Sequence, residues 1–198
     1  MLYTSKRPRA LWLSVRGSAG LSVEVGMFSV GDRVIHPGQG LCTVVGFAGE
    51  PTSSLVLACG TGRREAHLLY PMAKAEQTLR APVSREEALA VVAGYAELAP
   101  DPRTDRNSGL EEAYFKGLIK HGVPDSVRVV KTMRTRIAAA STKRHKPSAY
   151  MIRVLKEAQR RSLEELACSL DVASEEVVAM FGEFGQDFSP DPAKRGRR

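Results

Sequence analysis

The sequence predicts an α+β protein of two domains, in which a small β unit precedes an all-α helical unit. Three observations lead to this prediction. Residues 28–70 contain short apolar runs separated by Gly, Pro, Ser and Thr, apolar residues recur with helical spacing after Pro82, and Lys and Arg are concentrated in the second half. The 198 residues, 43% of them hydrophobic, are enough for one large domain or two small ones with packed cores.

The strands are predicted from four runs rich in Val, Leu or Ile. They read FSVGDRVI, LCTVVGFA, SLVLAC and EAHLLYP. Four or five strands within about 45 residues are typical of a small SH3-like (Tudor-like) barrel. Turns are expected at Gly31, Asp32, Pro37 and Gly40, because Gly permits positive φ and Pro presets φ.

Five helices are predicted after Pro82. They read SREEALAVVAGYAEL, LEEAYFKGLIKHG, PDSVRVVKTMRTRIAAAS, SAYMIRVLKEAQRRSLEELACSL and SEEVVAMFGEF, and residues 99–109 are a loop by composition. Ser84 and Glu87 have the spacing of a capping box. Gly122 is expected to end the second helix and Ser174 to cap the last one.

Two apolar stripes are predicted to face the helical core. One comprises Val127, Val130, Met133 and Ile137, and the other comprises Ile152, Leu155, Leu163, Leu166 and Leu170.

Positive charge is concentrated between residues 116 and 161. This stretch holds thirteen Lys or Arg and only two acidic residues, whereas the formal charge of the whole chain is +7. Like charges at this density repel one another, which favours a polyanionic partner and phosphate-backbone contacts, although a solvated charged surface is the alternative. The predicted DNA-contacting residues are Arg128, Lys131, Arg134, Arg136, Lys143, Arg144, Lys146, Arg153, Lys156 and Arg160.

A helix-turn-helix is a second interpretation of the segment RRSLEELACSLDVASEEVVAMF. Its second helix would enter the major groove, but that helix starts with Ser174, Glu175 and Glu176 and carries no Lys or Arg. Helical packing explains the same apolar spacing.

The sequence gives no pattern typical of an enzyme, a metal site or a cofactor site. Cys42 and Cys59 lie in apolar, strand-like runs, which favours buried structural thiols. With Cys168 they make an odd number without a CxxC pair, so neither a disulfide framework nor a metal site with the four His is expected. This cysteine usage is typical of a reducing compartment, and we expect a cytoplasmic protein.

The predicted domains are residues 27–80 for the β unit and residues 84–184 for the helical unit. Residues 1–26 are a disordered N-terminal tail or a mis-assigned start before Met27, and residues 185–198 are a disordered basic tail. The apolar run ALWLSV is shorter than the core of a signal peptide, and no run approaches the about 18 apolar residues of a membrane span. No membrane partner is therefore expected.

Three blocks follow one another along the chain: FSVGDRVIHPGQGLCTVV, LLYPMAKAEQTLRAPVSREEA and KRHKPSAYMIRVLKEAQRRSLEELACSL. In this order they resemble the CarD family of bacterial transcription regulators. That family has a VGD-x-V-x-x-P-x-x-G opening, a proline-bearing strand leading to a short LR, and a late EELA helix. The resemblance covers residues 27–184. The opening is also similar to the barrel of the transcription-repair coupling translocase, whose helicase domains this chain has no room for.

The resemblance implies a non-catalytic protein without a cofactor. Its SH3-like domain would dock on the RNA polymerase β subunit, and its helical domain would contact promoter DNA at the upstream edge of the melted bubble and modulate the open complex. Arg63 and Arg64 are the candidate polymerase contacts, by their position on a loop. An adaptor that binds polymerase without affecting DNA opening is the alternative. A monomer is expected.

The sequence departs from this family at one position. Some members carry a Trp just before the first C-terminal helix, where it wedges against the minor groove. By rough alignment that position falls near Ser108, and the sole Trp of this chain is Trp12. Tyr114 or Phe115 could substitute, but core packing is the simpler role for both.

Overall fold

A computed structural model describes residues 24–25, 27–49, 53–60, 65–142, 146–184 and 187–188. The chain divides into two compact units at the boundary between Ala81 and Pro82. The first, here called the β unit, contains a four-stranded antiparallel sheet, and the second, here called the helical unit, contains helices alone among its described residues. The predicted α+β class is therefore confirmed.

The β unit is an antiparallel meander. Its strands are β1 (Glu24–Val25), β2 (Phe28–Ser29), β3 (Arg33–His36), β4 (Gly40–Ala48), β5 (Ser54–Cys59) and β6 (Ala66–Pro71). Strands β1 and β2 pair with each other, and the main sheet has the order β3-β4-β5-β6. In the described residues this sheet is open, because its outer strands do not pair with each other. The strand spacing therefore predicted the strands correctly, but these strands do not form the closed barrel.

The turns on either side of β3 are stabilised by hydrogen bonds from backbone N–H groups to side chains and by glycines with positive φ. The Asp32 carboxylate accepts a hydrogen bond from the Ser29 N–H at 2.8 Å, next to Gly31 with φ of +98°. In the hairpin between β3 and β4, Nδ1 of His36 accepts from the N–H groups of Gly38 and Gln39, each at 3.0 Å. Gly40 closes this hairpin with φ of +92°, a conformation that is energetically unfavourable for a residue with a Cβ.

Alternation along β4 and β5 buries one face of the sheet. Cys42 and Val44 on β4 and Leu55, Leu57 and Cys59 on β5 are all buried. Phe28, Val34, Ala75 and Leu79 complete this core. The period of two therefore places these side chains in the interior, as expected for a strand with one solvated face.

The two buried cysteines of the β unit are joined by a disulfide, contrary to the sequence expectation. Cys42 and Cys59 are direct partners in the β4–β5 register, with Cα atoms 4.2 Å apart. Strand pairing therefore brings together two thiols that are 17 residues apart in the sequence, a proximity that spacing alone did not indicate. Cys168 is a free cysteine.

A short helix in the β unit was not predicted. Helix α1 (Met72–Thr78) starts directly after β6 and has no side-chain N-cap. It buries Ala75, and Leu79 follows it into the same core. Its seven residues are too few to display a helical period, so its helicity depends on tertiary packing.

The helical unit contains five helices in its described residues, and all five were predicted. They are α2 (Arg85–Gly94), α3 (Ser108–His121), α4 (Val123–Thr142), α5 (Ala149–Leu170) and α6 (Ser174–Glu183). The capping box of Ser84 and Glu87 is present, and Gly122 is the C-cap of α3. Ser174 is the first residue of α6 rather than its cap, which is Ala173.

The core of the helical unit contains most of the two predicted stripes. Val127, Val130 and Met133 are fully buried on α4, and Leu155, Leu163, Leu166 and Leu170 are buried on α5. Ile152 was wrongly placed in the core, because 39% of it is exposed. An aromatic cluster closes one side of this core, where Phe188 stacks on Phe181 at 4.1 Å and both rings meet Tyr95 edge-on. No helix in the described ranges is long and apolar enough to cross a membrane.

Candidate nucleic-acid interface

The predicted basic residues fall into three groups in the helical unit. Arg136, Arg134 and Lys131 contact other parts of the unit through their charged ends. Arg128, Lys146, Arg153, Lys156 and Arg160 lie at or near the surface. Lys143 and Arg144 are outside the described residues, as are the two predicted polymerase contacts, Arg63 and Arg64.

Arg136 lies at the centre of a largely buried network. Its Nη1 donates to Oε1 of Glu111 at 2.6 Å, and its Nη2 donates to the backbone carbonyls of Asp101, at 3.2 Å, and Arg103. The guanidinium also lies 5.0 Å from the centre of the Phe115 ring. Only 17% of the Arg136 side chain and 8% of the Glu111 side chain are exposed. These contacts join α4 to α3 and to the loop before α3, so Arg136 holds the helices together.

Tyr150 is the third member of this network. Its hydroxyl donates to Oε2 of Glu111 from the first turn of α5. Burial and the hydrogen bond to the Glu111 carboxylate together raise the pKa of Tyr150 to about 12. Three helices therefore meet at one buried carboxylate.

Lys131 and Arg134 also contribute to internal contacts. Nζ of Lys131 donates to the carbonyl oxygens of Tyr95 and Ala96, at 2.8 and 2.7 Å, which satisfies backbone groups after the end of α2. Arg134 is 15% exposed, and its Nη1 lies 3.5 Å from Oδ2 of Asp187. Counting charges along residues 116–161 therefore overstated the free positive charge.

The exposed part of the basic stretch is centred on α3 and α5. Arg153 on α5 donates to both carboxylate oxygens of Glu112 on α3, at 2.7 and 3.4 Å, and Lys116 Nζ lies 2.9 Å from the same carboxylate. These contacts lower the pKa of Glu112 to about 2, chiefly through the Arg153 hydrogen bond. The side chains of Arg153 and Lys116 remain 60% and 43% exposed, whereas that of Glu112 is 17% exposed.

Two further lysines extend this surface along the helices. Lys120 is one turn beyond Lys116, Lys156 is close to one turn beyond Arg153, and both are exposed. We call the five residues Lys116, Lys120, Arg153, Lys156 and Glu112 the α3–α5 ridge. The prediction of DNA contacts included neither α3 lysine nor Glu112. The spacing of four between Glu112 and Lys116 was the available signal, since it predicts an ion pair on one helix face.

Three further predicted DNA contacts, Arg160, Arg128 and Lys146, do not belong to the ridge. Arg160 forms an ion pair with Glu164 at 2.7 Å, and Arg128 lies 3.6 Å from Asp125. Lys146 is exposed before the start of α5. These residues add to the positive surface without forming a second cluster.

The opposite charge is displayed on α6. Glu175 and Glu176 occupy its first turn and are exposed, and the helix carries no Lys or Arg. Helix α5, a turn containing Asp171 in the left-handed conformation, and α6 do follow one another. An acidic second helix would be repelled by phosphates, so this geometry does not favour the helix-turn-helix interpretation.

At the position predicted to correspond to the Trp of some CarD-family members, the described residues offer no exposed aromatic side chain. Ser108 is the first residue of α3 and is exposed. Phe115 is fully buried in the helical core, and the Tyr114 hydroxyl donates to Asp101 at 2.9 Å. The prediction that Phe115 is a core residue is confirmed.

Two other features of the described residues bear on possible sites. Among these residues, no three His, Cys, Asp or Glu residues are grouped to hold a metal ion. An apolar groove of about 150 Å³ between α2 and α4 is lined by Ala90, Val91, Gly94, Leu98, Pro124 and Val127, which offer no catalytic group.

No protein-family model matches the chain, and no curated protein matches it.

Proposed function

We propose that this protein is a non-catalytic regulator of transcription initiation, similar to the CarD family. It docks on the RNA polymerase β subunit through the β unit and contacts promoter DNA, mainly its phosphates, through the helical unit. The result is a change in the stability of the open promoter complex. A regulator of this kind acts in the cytoplasm as a monomer on polymerase and needs no cofactor.

One observation carries the proposal: a single chain joins a nearly neutral sheet to a helical unit with an exposed basic ridge. Residues 27–80 hold five basic and four acidic residues, so the sheet is suited to a protein partner rather than to a polyanion. The ridge exposes Lys116, Lys120, Arg153 and Lys156, whose charges suit the phosphate backbone. The order of the three sequence blocks supports the same assignment.

The edge strand β6 supports a docking role for the β unit. Among the described strands, β6 pairs only with β5, so one side of its backbone is available to a partner strand. Leu69 on this strand is 65% exposed, an unusual position for a large apolar side chain at a sheet edge. We infer that the sheet is the open part of an SH3-like fold. The backbone pairing of Ile35 with Arg80, on the outer side of β3, supports this inference.

A polymerase-binding adaptor without an effect on DNA opening is the second candidate. Arg136, Arg134 and Lys131 are occupied by internal contacts, and the position predicted for the aromatic wedge falls near Ser108 by rough alignment. The proposed regulator must therefore act through phosphate contacts alone.

The test is the lifetime of open complexes on a housekeeping promoter, with purified polymerase at fixed salt, with and without the protein. A changed lifetime that is abolished by Lys120→Gln with Lys156→Gln supports the regulator. An unchanged lifetime, together with binding to the β subunit that Leu69→Asp weakens, supports the adaptor. No binding to polymerase and no effect on lifetime would refute both.

A further inference from the structure

The α3–α5 ridge contains one acidic residue in the middle of its cations. Glu112 receives the bidentate hydrogen bonds of Arg153 and the ion pair of Lys116, so it links the two helices at the surface. The neighbouring contact of Tyr150 with Glu111 joins the first turns of the same helices, which fixes them side by side. Arg153 and Lys116 are thereby held on either side of one carboxylate.

We propose that Glu112 is a built-in competitor of DNA phosphate, whose carboxylate occupies the hydrogen-bonding site of Arg153 and Lys116 until a phosphate displaces it. This inference rests on the proposed DNA contact and deepens it. It assigns Lys116 and Lys120 to the phosphate-binding surface, together with the predicted Arg153 and Lys156. Glu112 then limits the affinity for DNA, so that the isolated protein binds DNA at low ionic strength, while binding at physiological salt depends on the additional contact with polymerase.

A carboxylate and a phosphate can exchange at this site because they accept hydrogen bonds in a similar way. A carboxylate and a phosphate both accept two parallel hydrogen bonds from a guanidinium. Arg153 and Lys116 are 60% and 43% exposed, while Glu112 beneath them is 17% exposed, so a phosphate can approach the cations from solvent. The pair of Arg136 and Glu111 offers a contrast, because neither side chain is more than 17% exposed and no phosphate can reach it.

The charge of Glu112 is present under all conditions in which DNA is bound. Arg153 and Lys116, the cations that face it from α5 and α3, lower its pKa to about 2. At neutral pH the ridge therefore carries four cations and one anion, and removal of the anion raises its net charge from +3 to +4. The acidic face of α6 lies on another helix and is not affected by this change.

The experiment uses the full chain and a fluorescent duplex of mixed sequence, with anisotropy measured at increasing salt from low ionic strength. Glu112→Gln is compared with Glu175→Gln, which makes the same change of net charge on exposed α6. We expect Glu112→Gln to bind the duplex about three- to tenfold more tightly, with a salt slope steeper by up to about one. Glu175→Gln should change affinity by less than about twofold. Lys120→Gln with Lys156→Gln should weaken binding and make the slope shallower by about two.

Three results would overturn the inference. Equal effects of Glu112→Gln and Glu175→Gln would show that only total charge matters. Weaker binding by Glu112→Gln, with an unchanged melting temperature, would show that Glu112 positions Arg153 for DNA rather than competing with DNA. Unchanged binding by the double lysine variant would place the contact elsewhere. In the first two cases the ridge would still contact DNA, so the proposed function would survive. The third would also remove the basic ridge on which the proposed function rests. Absence of any binding by the wild-type protein, even at low ionic strength, would refute the DNA contact on which both this inference and the proposed function depend.

Discussion

Replacement of Arg136 by Met provides the sharpest test of whether this residue stabilises the fold or contacts DNA. Methionine preserves the packing against Phe115 but removes the charge that faces the Glu111 carboxylate. Breaking a buried ion pair costs about 3–5 kcal/mol, because the remaining charge is left uncompensated. The Tyr150 hydroxyl still donates to Glu111, and the carbonyl of exposed Arg103 can bind water. We therefore expect the lower limit, a loss of about 3 kcal/mol in the free energy of unfolding.

Urea unfolding of the helices, followed by far-ultraviolet circular dichroism, measures this loss. Arg153→Met is the matched control, since it breaks an Arg–Glu pair of similar length whose arginine is 60% exposed, and it should shift the unfolding midpoint much less than Arg136→Met does. Glu111→Gln combined with Arg136→Met should recover part of the stability, because no unpaired buried charge remains. Unchanged stability of Arg136→Met, together with weaker DNA binding, would refute the assignment of Arg136 to the fold.

Three further predictions concern stability and titration. Reduction of the Cys42–Cys59 disulfide should lower the free energy of unfolding of the β unit by about 3 kcal/mol for a loop of this size. In the variant with both residues changed to Ala, reductant should leave the free energy of unfolding unchanged. A decrease in that variant would show that the effect of reductant does not come from this disulfide. Tyr150 has its pKa raised from 10.0 to about 12, so its contribution to stability is complete below pH 10.0 and is lost as the pH rises through about 12. In a spectrophotometric titration, Tyr150→Phe should remove one late-ionising tyrosine, and an unchanged curve would contradict the buried hydrogen bond to Glu111. Ser84→Ala should cost about 1 kcal/mol, measured by urea unfolding, and Ser84→Asp should restore most of it; equal losses in both variants would exclude capping as the cause.

The strands and long helices were predictable because their periodicity is a local property. Val44 and Leu57 are buried because side chains alternate between the two faces along each strand, with a period of two. Met133 and Leu166 are buried because apolar residues recur along their helices with a period of 3.6. Ile152 fits the helical period and is nevertheless exposed, since periodicity does not specify how far a neighbouring helix extends. Helix α1 is too short for a period to be visible.

The surface charge was less predictable because ion pairs form across the fold. Arg136 and Glu111 are 25 residues apart, and Arg134 pairs with Asp187 from beyond the last helix. A count of charges along residues 116–161 cannot include such partners. The proximity of Cys42 and Cys59 likewise follows from the β4–β5 register, which a sequence alone does not fix.

The aromatic cluster of the helical unit has a consequence for synthesis of the chain on the ribosome. Tyr95 and Phe181 acquire their third ring, Phe188, only after all five helices of that unit have been translated. The sheet core, in contrast, has its described partners between Phe28 and Leu79. The β unit can therefore fold while the helices are still emerging, whereas the helical unit completes its core last. A chain that ends after α6 would lack the ring that packs on both Tyr95 and Phe181.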